Sequence, residues 1–416
     1  MSHIIVIGAG ITGVTTAYTL ANLGYRVSVL DRHHYPAMET SFANGGQLSA
    51  CNAEVWNNAG TLLKGLKWMM RRDAPLLLNP RPSWHKYSWL GEFVGHLRGY
   101  RANTIETTRL AIAARQHLFD MAEREQIDFN LERRGILHFY HDRASFEAAG
   151  RTNQMLVEGG LERYAVTPEE MRSIEPTLQG NYYGGYFTPS DSTGDIHKFT
   201  RGLARACERL GVAFVQGVDV RAIRMESGGV RMKLSPSEAA LASGEPGGDR
   251  EISGTALVVC AGVGSRQIGA MLGDRLNVYP VKGYSITVHL DDARSVEHAP
   301  WVSLLDESAK IVTSRLGPDR FRVAGTAEFN GHNRDIRADR IAPLVSWVRR
   351  NFSIETSRAV PWAGLRPMMP DMMPRVARGR ATRVFYNTGH GHLGWTLSAA
   401  TAAMIGQTIA ASHPVH

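Results

Sequence analysis

The 416-residue chain carries a formal charge of +8 at pH 7, is 43% hydrophobic and 21% charged, and contains three cysteines. That length buries a large core and suits two domains, and no run of about 18 apolar residues is available to span a membrane. Cys51, Cys207 and Cys260 are too widely separated for a disulfide framework or a Cys-x-x-Cys metal site, which fits a reducing cytoplasm.

Residues 3–7 are short, apolar and β-branched, as in a buried parallel strand. With that strand starting at the third residue, no signal peptide is expected. A helical pattern follows over 11–23, and between them lies Gly-x-Gly-x-x-Gly at Gly8, Gly10 and Gly13. Gly8 permits the tight strand-to-helix turn, Gly10 lets a pyrophosphate approach the backbone, and Gly13 lets helix and strand pack closely. The N–H groups of the first helical turn then face the phosphates. A second strand over 26–30 ends in Asp31, 18 residues after Gly13, where the acid that grips a ribose 2′-hydroxyl is expected. That acid disfavours a 2′-phosphate. The loop itself leaves FAD and NAD both open.

The stretch 62–72 (LLKGLKWMMRR) mixes Trp, Met and Leu with four cations. It reads as an amphipathic helix with a solvated basic face, or as a segment lying on a membrane surface. Further helices are predicted over 104–126, 145–158, 168–174, 197–210, 338–351 and 395–411. Strands are predicted over 136–140, 213–215, 230–234, 256–260, 284–290, 311–314 and 321–324. Residues 235–250 (SPSEAALASGEPGGDR) read as an exposed hairpin loop.

Alternation at the start, middle and end of the chain predicts an α/β fold: a Rossmann-type domain assembled from discontinuous segments, with a second, α+β domain. The expected division gives 1–52, 195–275 and 340–416 to the dinucleotide domain and 53–194 and 276–339 to the substrate domain. Three later segments point back to the nucleotide site. The stretch 211–220 ends at Val220, where backbone meets the adenine. An apolar strand over 256–260 runs into the small-residue turn Ala261-Gly262, which also reads as a purely structural turn. The loop 387–396 (NTGHGHLGWT) aims helix N-terminal N–H groups at an anionic group, as a reduced flavin pyrimidine would be. His390 and His392 lack the carboxylate or cysteine spacing of a metal site, and no metal is expected.

Taken together, the N-terminal fingerprint, residues 39–49 (ETSFANGGQLS), 279–285 (YPVKGYS), 305–307 (LDE), 364–371 (GLRPMMPD) and 387–396 resemble bacterial D-amino-acid dehydrogenases, of the D-amino-acid oxidase class of FAD enzymes. The resemblance covers nearly the whole chain, with the motifs in family order. It implies FAD as cofactor. Gly8, Gly10, Gly13, Asp31 and Arg32 would hold the ADP half, and Val220, Ala261 and Gly262 its adenine side. Thr40, Ser41, Asn44, Gly45, Gly46, Gln47 and Leu48 would line the pyrophosphate and flavin. Gly389, His390, Gly391, Gly394, Trp395 and Thr396 would close over the pyrimidine edge. Arg366 would bind the substrate carboxylate, for which a planar guanidinium fork is suited; the alternative is a surface arginine before a proline turn. Tyr284 is the second candidate, near substrate at the domain junction or merely packed there.

The implied reaction is oxidation of a D-amino acid to the imino acid by hydride transfer to flavin N5. Electrons would pass to a quinone or other carrier, with 62–72 against the inner face of the cell membrane. Relatives acting on cis-4-hydroxy-D-proline or D-proline form an alternative. With no cysteine beyond position 260, FAD is expected to be non-covalent. The basic charge admits RNA, and a tRNA-modifying flavoprotein or an electron-transfer subunit are rivals. The arginines form no aromatic-basic stripe, so no nucleic-acid partner is expected. The oligomeric state stays open.

Overall fold

The structure, a computed structural model, describes residues 2–61, 65, 75–244 and 248–415. The first strand, His3–Ile7, is central because Ile4, Ile5, Val6 and Ile7 are buried on both faces. It pairs in parallel with Arg26–Leu30 on one side and Ala256–Val259 on the other. Ala213–Val215 and Val384–Thr388 extend the two edges in parallel, and Arg375–Arg378 closes one end antiparallel.

Helices Ile11–Asn22, Ile196–Arg209 and Gly394–Ala410 bury one face of this sheet, through Val14, Phe199, Leu203, Ala399 and Ile405. The opposite face is covered by a three-stranded antiparallel sheet of Val218–Glu226, Gly229–Pro236 and Arg250–Gly254, which contributes Val230, Met232 and Leu234. The 235–250 segment connects two strands of that sheet, as expected, and carries a short helix, Glu238–Ala242, capped by Ser237.

Helix starts follow their side chains. The Asp195 carboxylate accepts from the His197 and Lys198 N–H groups at the start of Ile196–Arg209. Thr167 and Glu170 form a reciprocal cap on Pro168–Ile174, with proline at the first position. Pro168–Ile174 and Ala338–Asn351 have the expected bounds.

The second large unit is a nine-stranded mixed sheet. Its main path runs Val360–Met368, Tyr279–His289, Arg320–Phe329, Ile311–Arg315, Ser303–Asp306, Ile136–Tyr140, Gly184–Thr188 and Tyr164–Val166, while Leu76–Leu78 pairs with Arg320–Phe329. Helix Ala338–Asn351 packs Leu344, Trp347 and Val348 onto one face, against Ile286, Val288 and Val323. The division of the chain therefore differs from the expected one. Within 340–416, most of that helix and the strand Val360–Met368 belong to the mixed sheet, and the chain re-enters the parallel sheet only at Arg375. Pro361 and Pro367 masked the strand in the sequence. It is tolerated because it lies at the sheet edge, where a missing N–H breaks no inner ladder. Apart from Gly65, the stretch 62–72 lies outside the described residues.

Candidate cofactor and substrate site

A cavity of ≈ 1530 Å³ runs from the parallel sheet to the mixed sheet. At its first end the glycine turn is sterically determined. Gly8 has φ 108°, and a β-carbon there would lie 2.6 Å from the Cys260 carbonyl oxygen. A β-carbon on Gly13 would lie 1.8 Å from the Gly8 carbonyl oxygen, so Gly13 serves helix–strand contact and does not line the cavity. Gly10 does line it; a β-carbon there would meet only Ser41 Oγ, at 3.4 Å. The Ser41 hydroxyl accepts from the Ile11 N–H at 2.9 Å, tying the 39–49 segment to the helix N-terminus.

Asp31 accepts from the Ala9 N–H at 2.6 Å and the His33 N–H at 2.8 Å. Burial pushes its carboxyl pKa up against the pull of those donors. Arg32 stands 3.9 Å from Asp219, and both line the same end with Val220, Ala261 and Gly262. Sequence reasoning missed the clasp beside them. Glu39 accepts from His33 at 2.8 Å and from both terminal nitrogens of Arg334 at 2.7 and 2.9 Å. Burial opposes ionisation of Glu39, but these partners outweigh it and hold the pKa at about 2. Glu39 was quoted in the sequence; its partner, nearly 300 residues away, carried no local signal.

In the middle of the cavity, Asn44 Oδ1 accepts from the Gly46 N–H at 2.8 Å, and Gly46 takes φ 75°. A β-carbon on Gly46 would press on Ser314 at 2.9 Å, and the Ser314 hydroxyl donates to the Gly45 carbonyl. Thr40, Ser41, Asn44, Gly45 and Gln47 line the cavity; Gly46 and Leu48 do not. Leu48 instead enters the core beneath the parallel sheet.

The closing loop follows strand Val384–Thr388. Gly389 and Gly391 adopt φ 76° and 61°, and with His390, Gly394 and Trp395 they line the cavity. Thr396 does not; its hydroxyl accepts from the Ser49 N–H at 3.2 Å. His390 pairs with Thr401 at 2.9 Å, and burial lowers its pKa to about 3. His392 lies 3.1 Å from the Asn52 carbonyl oxygen, so that ring nitrogen carries the proton. Burial lowers its pKa to about 4, with a further push from Arg366, and the ring stacks on Trp56 at 4.9 Å. Both imidazoles are neutral at pH 7. His392 was weighed in the sequence only as a metal ligand and was not placed in the cofactor or substrate site; its partner Trp56 carried no local signal.

The mixed sheet supplies the far wall. Gly283 and Gly364 face each other in register, and the Arg366 guanidinium lies flat over Gly283, at 2.3 Å from where its β-carbon would stand. No carboxylate pairs with Arg366 among the described residues, and burial alone lowers its pKa to about 10. Tyr284 combines the two places expected for it. It borders the cavity, but strand alternation turns its ring away from Gly283 into the core with Ile286 and Trp347. Its hydroxyl donates to Glu328 at 2.7 Å, and Glu328 also pairs with buried Lys282 at 3.1 Å. Its ring is packed and its hydroxyl is held by Glu328 at the cavity border.

The residues present fit a dinucleotide flavin. Gly10 leaves a cradle open, Asp31 stands at the strand end, and the Trp395 indole N–H, His392 Nδ1 and Asn387 Oδ1 are buried without a partner among the described residues. Buried polar atoms of that kind call for a bound group.

Comparison with known proteins agrees. The family model of the FAD-dependent oxidoreductases designated DAO matches residues 3–408. The chain is 61% identical to D-amino acid dehydrogenase 3 of Mesorhizobium japonicum over 416 residues, covering 100% of this chain and 98% of that protein. It is 39% identical to the D-amino acid dehydrogenase of Paramagnetospirillum magneticum, covering 98% and 94%. Among solved structures, glycine oxidase from Geobacillus kaustophilus superposes with a TM-score of 0.73 at 18% identity, over 100% of this chain and 96% of that one. L-Proline dehydrogenase from P. horikoshii superposes with a TM-score of 0.73 at 16% identity, over 98% and 93%. These two likenesses speak for the fold. The chain belongs to the DAO family of FAD-dependent oxidoreductases.

Proposed function

We propose that this FAD-dependent oxidoreductase is a D-amino acid dehydrogenase. The observation that carries the reading is Arg366: a guanidinium without a carboxylate partner among the described residues, laid flat on the cavity wall. A planar fork there takes a substrate carboxylate through two parallel N–H···O bonds and so fixes the α-carbon. The D configuration is supported by the names of the relatives at 61% and 39% identity.

Bound FAD supplies the two-electron acceptor for the α-hydrogen. The chain's own residues orient and shield. Gly283 leaves the clearance that lets Arg366 lie against the sheet, and Gly364 leaves room for the Trp362 ring. His390 and His392, neutral at pH 7, place no cation beside the substrate amine. No side chain is assigned as general base; the neutral amine assists loss of the α-hydrogen. The imino acid is released, and an acyclic one hydrolyses to a 2-oxo acid and ammonia.

The cofactor is held without a covalent bond. Cys51, Cys207 and Cys260 are buried, and desolvation raises all three thiols. The dinucleotide module comprises the parallel sheet with its helices and the three-stranded cover, and the mixed sheet is the substrate module. The electron acceptor is a quinone or similar carrier reached at a membrane surface. Helix Trp84–Gly95 supports this: Trp84 is 83% exposed, and Tyr87 and Val94 are also exposed, shortly after the cationic 62–72 stretch.

Anaerobic bleaching of the flavin tests the function. The panel is D-alanine, D-proline, cis-4-hydroxy-D-proline, a bulky D-amino acid, their L-forms and sarcosine. Bleaching by D-forms alone is the expected result. Bleaching by L-forms or sarcosine, or by none, overturns the assignment.

A further inference from the structure

The Arg366 guanidinium lies in a row that crosses the mixed sheet in register. Gly283 stands directly opposite Gly364 on one neighbouring strand and opposite Ala327 on the other. The guanidinium fills the place of a Gly283 β-carbon, and the six-membered ring of Trp362 fills that of a Gly364 β-carbon. Opposed β-carbons are about 5 Å apart, so indole and guanidinium are side-by-side neighbours on the sheet. Strand alternation agrees, because Trp362, Gly364 and Arg366 share one face.

The Trp362 ring does not fill the interior. Among the described residues it joins no hydrophobic core cluster. It is half-buried and borders the cavity. Its ring neighbour is Phe42, 6.4 Å away between centroids and itself 40% exposed. A large apolar ring left open on a cavity wall is a contact surface for a ligand.

The rest of the sheet around the guanidinium is apolar or already engaged. Ala327 offers a methyl, Val281 is packed in the core, and the Ser285 hydroxyl donates to the Ala43 carbonyl at 3.4 Å. A carboxylate held by Arg366 therefore brings the α-carbon beside an indole on one flank and a methyl on the other. A polar side chain meets no charge and no free acceptor on this wall, whereas an apolar one covers the indole and displaces water from it.

We infer that Trp362 is a specificity-determining residue, whose ring receives the substrate side chain and selects D-amino acids with an apolar side chain larger than methyl. The inference rests on the carboxylate-clamp reading of Arg366.

The test uses acetate and cyclopentanecarboxylate, which lack the α-amino group and so bind the holoenzyme without being oxidised. Affinities are read from perturbation of the flavin absorption. In the native protein cyclopentanecarboxylate is expected to bind about tenfold tighter than acetate. In Trp362→Ala that ratio is expected to fall by about threefold or more, and to fall likewise in Trp362→Gln, which keeps bulk and loses the apolar face. Trp362→Phe is expected to restore most of it. A purely structural role would weaken both ligands alike and leave the ratio unmoved. A native ratio below about threefold overturns the inference, as does a ratio that falls by less than about threefold in the folded Ala or Gln variant. If Arg366→Met leaves both affinities unchanged, it is the clamp reading that fails.

Discussion

Gly283 and Arg366 claim the same place on the mixed sheet: the guanidinium occupies the volume a β-carbon of residue 283 would need, at 2.3 to 2.4 Å from its carbon and nitrogens. Gly283→Ala therefore tilts the clamp without removing its charge. The expected outcome is a rise in KM for the best D-substrate of about tenfold or more, at unchanged FAD content. Normal KM in this variant would show that Arg366 does not set substrate orientation.

Arg366→Lys keeps a cation but loses the planar fork. Loss of one charge-assisted hydrogen bond costs about 2 kcal/mol, roughly thirtyfold in kcat/KM. Steady-state kinetics on a D-substrate check this. A change below threefold would count against bidentate binding.

The clasp between Glu39, His33 and Arg334 predicts a pH signature. The folded-state pKa of Glu39, about 2, lies below its ordinary value of 4.5, so the unfolded chain binds more protons between those values. The stabilisation is fully present above about pH 4.5 and is lost as pH falls towards 2. The difference in melting temperature between native protein and Glu39→Gln should be flat from pH 7 to 5 and shrink below. A difference that persists undiminished to pH 2.5 would refute an ionic clasp.

Asp31→Ala strips the acceptor from two backbone N–H groups and, on the proposed cofactor placement, from a ribose hydroxyl. Weakening of FAD binding by about 2 kcal/mol, roughly thirtyfold in Kd, is expected. Titration of the apoprotein with FAD measures it. Retained affinity would move the ribose contact to another residue.

Acid precipitation separates a bound flavin from a tethered one. The yellow colour should stay in the supernatant; a yellow pellet would establish a covalent link.

The nucleotide end of the site was legible because its determinants are local. Gly8, Gly10 and Gly13 act within one turn, and Asp31 follows at the end of the next strand. The substrate end was only partly so. Arg366 was found through its motif, yet its strand was not, because two prolines hid an edge strand. Tyr284 was left open between the junction and the core for a different reason. Residues Val281 to Tyr284 are buried on both sides of the sheet, so polarity does not alternate to mark the cavity face. Only pairing with Gly364 and Ala363 decides it. Gly46, Leu48 and Thr396 sat in the right segments but do not line the cavity, Leu48 being turned into the core and Thr396 towards Ser49. Glu39 and Arg334 are joined only by tertiary structure.

The bonds from Ser49 to Thr396, from Asn52 to His392 and from Thr16 to Asn387 join residues 347, 340 and 371 positions apart. During vectorial synthesis Thr16, Ser49 and Asn52 must therefore wait for their last partners. At ordinary elongation rates that delay is on the order of tens of seconds. The fingerprint emerges first, but the pocket closes only once the C-terminal loop has left the ribosome. Capture of the cofactor is thereby a late, post-translational event, and nascent chains depend on being kept from pairing their uncovered hydrophobic strands with one another.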